Sequence, residues 1–219
     1  MSNSDLVSVI VNCQNGQDYL KKSIYSILNQ TYKNIEIIFF DNCSKDQSAV
    51  IVENIDTNKI KIYKSDVPLK LYKARNIAVS KCTGNYITFL DVDDWWEKTK
   101  IEKQVNKIKE ECSDIVYTNF WIVNNKKKIY SSKKLPVTNL DIEFLKKYPI
   151  NISSVMMKSY IFKKKKKYFD DIYEIIGDFD LMYKLSHEFK FSVIQEPLVN
   201  YLDHSNNTSK LKLHLRTLQ

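Results

Sequence analysis

The sequence predicts an α/β protein: a mostly parallel central sheet flanked by helices, followed by a smaller and less regular mixed region. Three observations lead there. From residue 6 to about 120, short β-branched runs alternate with amphipathic stretches, which is the pattern of β-α-β units. The runs are nearly continuously hydrophobic, as strands covered on both faces are. Each also ends in polar or acidic residues, the arrangement expected where the carboxyl ends of parallel strands line one edge.

Residues 6–12 (LVSVIVN) read as the first strand, and Leu20, Ile24, Ile27 and Leu28 then recur at helical spacing. Residues 35–41 (IEIIFFD), 60–64 (IKIYK) and 85–91 (NYITFLD) supply three further strands. Ile101, Val105 and Ile108 mark a helix ahead of a fifth strand at 114–121 (DIVYTNFW). Beyond residue 121 the regular alternation stops. Asn124-Asn125 and lysines 126–128 suggest a hairpin tip, and 152–157 reads as a strand. Leu181, Met182, Leu185 and Phe189 give a helix beginning near Asp178, and 191–199 (FSVIQEPLV) is the last strand, with Pro197 pointing to an edge. Residues 1–121 and 122–219 are thus expected to be two halves of one domain.

Composition narrows the class. With 219 residues, 43% hydrophobic and 27% charged, the chain can bury a core of ordinary size, which excludes disordered and fibrous whole-chain descriptions. No apolar run reaches the roughly 18 to 20 residues of a spanning helix, and the start lacks the basic-then-apolar layout of a secretion signal. A soluble, cytoplasmic protein is expected. Lysine and arginine total 34 against 26 acidic residues, a charge of +8 that favours anionic partners: nucleic acid, anionic lipid or phosphorylated small molecules. The lysine runs at 126–128, 133–134 and 163–167 lack interleaved aromatics or a recognition helix, so they read as a solvated face, not a nucleic-acid footprint. Peripheral contact with an anionic membrane surface fits them too, assisted by the alternating segment 211–219. The four cysteines are too far apart for a C-x-x-C pair and read as reduced thiols. Three glycines leave no room for a Gly-rich phosphate loop.

Four polar clusters converge on the expected sheet edge: Asn12 with Asn15, Asp41-Asn42, Ser65-Asp66, and Asp91-Val92-Asp93-Asp94. Polar strand ends meet solvent in any protein, and that suffices for Ser65-Asp66. It explains the fourth cluster poorly. Three carboxylates within four residues repel one another, and Asp91 and Asp93, two apart on an extended segment, would project to the same side. A hard divalent cation relieves that repulsion, and Mg²⁺ or Mn²⁺ that also binds a diphosphate would suit the site.

Five blocks in order carry a resemblance: VSVIVNCQNGQDYLKKSIYSILNQTYKNIEIIFFDNCSKD at 7–46, ARN at 74–76, GNYITFLDVDDWWE at 84–97, EIIGDFDLMYKL at 174–185 and EPLVNYLDH at 196–204. Together they resemble glycosyltransferase family 2, the nucleotide-sugar-dependent enzymes of the GT-A (Rossmann-like) fold. The resemblance implies inverting transfer from a nucleotide-sugar, a UDP-sugar in the first instance, to a glycan or lipid-linked acceptor, with Mn²⁺ or Mg²⁺ as cofactor. Residues 1–121 would form the nucleotide-sugar half and 122–219 the acceptor-side half. It casts Asp41 and Asn42 as the pair contacting uracil and ribose, beside Asn12, Gln14 and Asn15. Arg75 would approach the donor diphosphate, although charge spacing alone makes it a surface residue. Asp91 and Val92 would contact the donor, Asp93 the metal, with Asp94 behind them, and His204 would complete the coordination, with Ser209 farther along the loop. Asp178 matches the general base, though an acid there also suits a helix N-terminus. Trp95, Trp96 and Gly177 would wall the sugar or acceptor pocket.

The chain departs from the family where Asn12-Cys13-Gln14 replaces the usual Pro-Thr/Ser-Tyr, and Asn42 replaces the second acid of its pair. Two other classes compete: a D-x-D aspartyl phosphatase, whose nucleophile would end the first strand, and a nucleotide-sugar-binding module without turnover.

Overall fold

The structure, a computed structural model, describes residues 5–55, 57–124, 128–205 and 207. In chain order the elements are β1 (Val7–Cys13), α1 (Gln17–Leu28), β2 (Ile35–Asp41), α2 (Ser48–Glu53), β3 (Ile60–Lys64), α3 (Leu71–Ser80), β4 (Tyr86–Phe89) and β5 (Trp95–Trp96). There follow α4 (Lys100–Glu111), β6 (Ile115–Val123), β7 (Lys128–Tyr130), α5 (Leu140–Lys146), β8 (Val155–Lys158), α6 (Tyr160–Lys163), α7 (Gly177–Ser186) and β9 (Phe191–Leu202). One sheet holds them in the order β3-β2-β1-β4-β8-β6-β9-β5, with β7 paired to β6. Pairs β1·β2, β2·β3, β1·β4 and β6·β9 are parallel, whereas β8, β5 and β7 run antiparallel to their partners. The expected α/β architecture is thus present.

Both sheet faces are covered. Val9, Val11, Ile37 and Phe39 pack under Leu20, Ile24 and Ile27 of α1 and Ile101, Val105 and Ile108 of α4. On the opposite face Ile10, Ile38, Phe40 and Phe89 meet Tyr72 and Ala78 of α3, Phe144 of α5 and Leu181 of α7. Residues 7, 9 and 11 therefore face one layer and residue 10 the other, as the two-residue period of a strand requires. Each fully buried Leu or Ile contributes roughly 1.5–3 kcal/mol, and the nearly unbroken apolar runs follow from this double covering.

Several element boundaries differ from the sequence expectation, each for a local reason. β4 ends at Phe89, and Asp91 to Asp94 close into a turn in which the Asp94 N–H donates to the Asp91 carbonyl at 3.0 Å. Residues 152–154 form a 3-10 turn instead of strand, because the Asn151 side chain accepts the Ser153 N–H. β9 continues to Leu202, and Pro197 sits where the β6·β9 register shifts. On the other side of β9, β5 reaches only Val199 and Asn200, so the missing proline N–H breaks no ladder there. The tip of the β6–β7 hairpin, 125–127, and the segment 211–219 lie outside the described residues, as does Ser209. No helix among the described residues is long and apolar enough to cross a membrane. All four cysteines are free thiols.

One buried acid ties the first four strands together. The Glu36 carboxylate on β2 accepts the Ser8 hydroxyl of β1 (2.6 Å), the Thr83 N–H (2.7 Å) and the Lys61 ammonium of β3 (2.7 Å). Ser8 in turn accepts the Gly84 N–H at 2.9 Å, and a Cβ on Gly84 would lie 2.6 Å from the Leu6 carbonyl oxygen, so only glycine fits. Burial alone would raise the Glu36 pKa, but Lys61, Ser8 and Thr83 outweigh it and bring it down from 4.5 to about 2. A carboxyl depressed on folding contributes stability above its unfolded value, and loses it as pH falls through its folded value. Glu36→Ala is therefore expected to cost about 3 kcal/mol at pH 7, measured by urea unfolding, with the difference from the unaltered protein shrinking between pH 4.5 and 2.

Candidate functional site

The carboxyl ends of β1, β2 and β4 carry most of the singled-out residues, and the carboxyl end of β9 adds His204. Two of the loops brace each other. The Gly16 N–H, at the start of α1, donates to Ser48 Oγ (2.9 Å), and the next N–H, of Gln17, to Asp46 Oδ2 (3.0 Å). Orphan donors of α1 are thus capped from the loop after β2. Asn15 and Cys43, which follow the two strands, adopt left-handed backbone (φ 55° and 58°). Asparagine tolerates this conformation better than most residues, and Asn15 Oδ1 accepts the Lys45 N–H at 2.8 Å, tying the first loop to the second. Val92 lies against Gly16 so closely that a Cβ there would be 2.3 Å from Val92 Cγ2.

In this frame Asp41 is buried, and its Oδ1 accepts the Ser44 N–H at 3.1 Å. Gln14, exposed, donates to the Asn42 carbonyl at 3.2 Å. Asn42 does something the family pattern does not suggest. Its Nδ2 donates to the Leu69 carbonyl and its Oδ1 accepts the Leu69 N–H, both at 2.8 Å. The amide is thereby fully engaged with the backbone before α3, and a carboxylate would face the Leu69 carbonyl with nothing to donate, which accounts for asparagine here. Both polar atoms of the Asn12 side chain are buried without a hydrogen-bond partner among the described residues, a costly state that leaves them able to bond an incoming group.

The acidic turn divides, contrary to the expectation that Asp91 and Asp93 share one side. Asp91 Oδ1 pairs with Arg75 at 2.5 Å. Asp93 Oδ2 lies 2.9 Å from His204 Nε2. Asp94 is buried, accepting the Ser153 hydroxyl (2.7 Å) and the Leu202 N–H (3.2 Å). A turn, unlike an extended strand, points successive carboxylates in different directions. Burial raises the Asp93 pKa, the Asp91 charge adds to this, and His204 opposes it. Asp94 is pushed well up by burial and then by Asp93 and Asp91. Arg75 is 4% exposed, so it is no surface residue, and its guanidinium acts electrostatically on Asp91 first and Asp178 next.

Asp178 stands in the first turn of α7, where Ile176, not Asp178, is the N-cap residue. Burial raises its pKa, the Arg75 charge opposes this, and Asp91 adds to it. The Tyr72 hydroxyl lies 3.3 Å from Asp178 Oδ1. Asp180 is turned away, paired with Lys184 at 2.7 Å. Gly177 is buried against the Tyr72 ring, 2.6 Å from where its Cβ would be, so it offers no wall to a sugar. Trp96 is corrected likewise: 4% exposed, its Nε1 donates to the Ser153 carbonyl and its ring lies 3.8 Å from the Lys100 ammonium, inside the core. Trp95 is half-buried under Lys22, whose Nζ is 2.9 Å from the ring centroid. Tyr19, stacked on His204 at 5.2 Å, and Ser153, bonded to Asp94, also border these residues; Tyr19 lies within the 7–46 block but the resemblance assigns it no role, and Ser153 stands in no motif. Tyr72 is marked in the sequence only by lying three residues before Arg75, on the same helix face.

Among the described residues no group of three or more His, Cys, Asp or Glu is arranged to hold a metal. Asp93 and His204 nevertheless present one carboxylate oxygen and one imidazole nitrogen at mutual contact distance, a donor set that fits Mn²⁺ or Mg²⁺ when ligand oxygens supply the remainder.

The chain belongs to glycosyl transferase family 2, whose profile matches residues 8–181. It is 37% identical over 144 residues to an uncharacterized glycosyltransferase of Haemophilus influenzae, covering 63% of this chain and 58% of that protein. It is 38% identical over 118 residues to the Escherichia coli UDP-Glc:alpha-D-GlcNAc-diphosphoundecaprenol beta-1,3-glucosyltransferase WfaP, covering 54% and 47% of the two. The chain thus spans about half the length of these relatives. Its fold matches the crystal structure of S. aureus TarS 1-349 in complex with UDP-GlcNAc with a TM-score of 0.79, at 22% identity, over 92% of this chain and 59% of that one.

Removing the Asn42 amide strands the Leu69 N–H and carbonyl. Asn42→Ala should cost about 1–3 kcal/mol in urea unfolding, and Asn42→Asp at least as much at neutral pH, because a buried carboxylate keeps one bond but faces the Leu69 carbonyl with no proton to donate.

Proposed function

We propose that the chain is an inverting glycosyltransferase that moves a sugar from a UDP-sugar to a hydroxyl of a glycan or lipid-linked acceptor, with Asp178 as general base. The observation that carries the reading is the juxtaposition made by α3: Arg75 pairs with Asp91, at the donor edge, and Tyr72 on the same helix face lies 3.3 Å from Asp178 Oδ1, at the start of α7. The names of relatives support the substrate classes, since WfaP is named for a UDP-glucose donor and a diphosphoundecaprenol-linked acceptor.

In this reading Arg75 holds Asp91 and offers positive charge to the donor diphosphate, while Asp41 and the Asn12 amide border the nucleoside. Asp93 and His204 would hold Mn²⁺ or Mg²⁺, which neutralises charge on the departing diphosphate when bound. A sugar hydroxyl is a poor nucleophile, so Asp178 takes its proton as it attacks the anomeric carbon from the face opposite the leaving group. A single displacement inverts that centre and requires no enzyme nucleophile. The raised pKa of Asp178 suits a base that must hold the proton it receives. The phosphatase alternative is disfavoured because the D-x-D follows β4, not β1. An inactive binding module would leave Asp178 without a task beside Arg75.

Asp178→Asn should lower the rate of transfer roughly 10²- to 10⁴-fold while metal-dependent UDP binding, measured by calorimetry, stays within about twofold. Unchanged transfer would remove the base assignment. Because Asp178 must be ionised to act and its pKa is raised, the rate should fall as pH drops through that raised value, and this limb should be absent from the residual activity of the variant.

A further inference from the structure

We propose that Tyr72 is the positioning residue of the transfer centre, its hydroxyl and ring fixing the start of α7 and so the place of Asp178 relative to Arg75 on the same face of α3. The inference rests on the reaction proposed above and adds how its base is placed. Tyr72 and Arg75 lie three residues apart on α3, and therefore on one face of a rigid helix. Arg75 engages Asp91 at 2.5 Å, on the donor edge. Tyr72 engages the other side: its O–H donates to the Ile175 carbonyl at 2.5 Å, directly before α7, and lies 3.3 Å from Asp178 Oδ1. Gly177, between those two residues, is pressed on the Tyr72 ring. The ring is 1% exposed, stacked on Phe169 at 5.6 Å, and cannot move independently of α3. One helix turn thus sets the separation between donor edge and base.

The charged and titratable groups facing Asp178 are Arg75 and Tyr72 from α3, Asp91 after β4, and Tyr148 after α5, whose hydroxyl is buried without a hydrogen-bond partner among the described residues. Burial first and the Asp178 charge next keep the Tyr72 phenol protonated, and its single proton goes to the Ile175 carbonyl, so the hydroxyl acts on Asp178 by fixing the backbone that carries it.

The test is Tyr72→Phe in the full chain, assayed with UDP-glucose and Mn²⁺ for turnover and with UDP and Mn²⁺ for binding. The expected result is a kcat about 10- to 100-fold lower, with donor KM and UDP affinity within about twofold of the unaltered chain. Gly177→Ala, which pushes the same contact from the opposite side, should give the same lowered kcat with donor KM and UDP affinity kept, and it carries the test should Tyr72→Phe fold poorly. A lowered melting temperature with kcat unchanged in both variants would show a purely structural tyrosine and overturn the proposal. An unaltered chain inert towards UDP-glucose and other UDP-sugars would instead remove the reaction, and this role with it.

Discussion

A single buried cation organises the crevice. Arg75 lies beneath the strand ends with its guanidinium 2.5 Å from Asp91, and a desolvated charge of this kind persists only if it is paired. Burial would disfavour its charged form, and Asp91 and then Asp178 outweigh that penalty. The acidic turn after β4 and the start of α7 are therefore not independent: both meet α3, Asp91 through Arg75 and Ile175 and Asp178 through Tyr72. Loss of either carboxylate changes the field felt by the other, and loss of the arginine leaves two acids in a partly desolvated pocket with their repulsion uncompensated.

Around that cation the loops are cross-braced by ordinary hydrogen bonds between segments far apart in sequence. Asn42 clamps Leu69 ahead of α3, Ser48 and Asp46 cap α1, and Asp94 bonds Ser153 and Leu202 at once. The Leu202 contact places His204 beside Asp93. Precise placement of this sort is what a reacting centre requires, and here rigid strands and helices supply it, leaving the exposed side chains of Gln14 and Asn15 at the crevice mouth.

Much of this was legible in the sequence, because strands buried on both faces must be apolar throughout and amphipathic helices must repeat their apolar residues. The clusters at Asp41-Asn42 and at residues 91–94 marked the crevice edge for the same reason. Side-chain destinations were less legible. An acid two residues after another faces the same way on a strand and a different way in a turn, and only the hydrogen bond from the Asp94 N–H to the Asp91 carbonyl decides between them. Trp96 looked like a pocket wall because it follows the acids, yet the carbonyl of Ser153, more than fifty residues on, draws it into the core. Arg75 read as a surface residue on charge spacing, since its partner Asp91 stands sixteen positions away. Asn42 spends its amide on the Leu69 N–H and carbonyl and Tyr72 its hydroxyl on the Ile175 carbonyl, backbone groups brought near by the fold, and no local pattern records such a contact.

The organising role of Arg75 is tested most directly by a double-mutant cycle with Asp91, using Arg75→Met, Asp91→Ala and the pair, read by urea unfolding at neutral pH without metal. If one buried guanidinium is held by that carboxylate, Asp91→Ala alone should destabilise, by less than a fully buried pair would because Asp91 is 40% exposed, and the double variant should lose at least about 1 kcal/mol less than the sum of the single losses. Additive losses would mean that the two residues act separately, and would contradict the account.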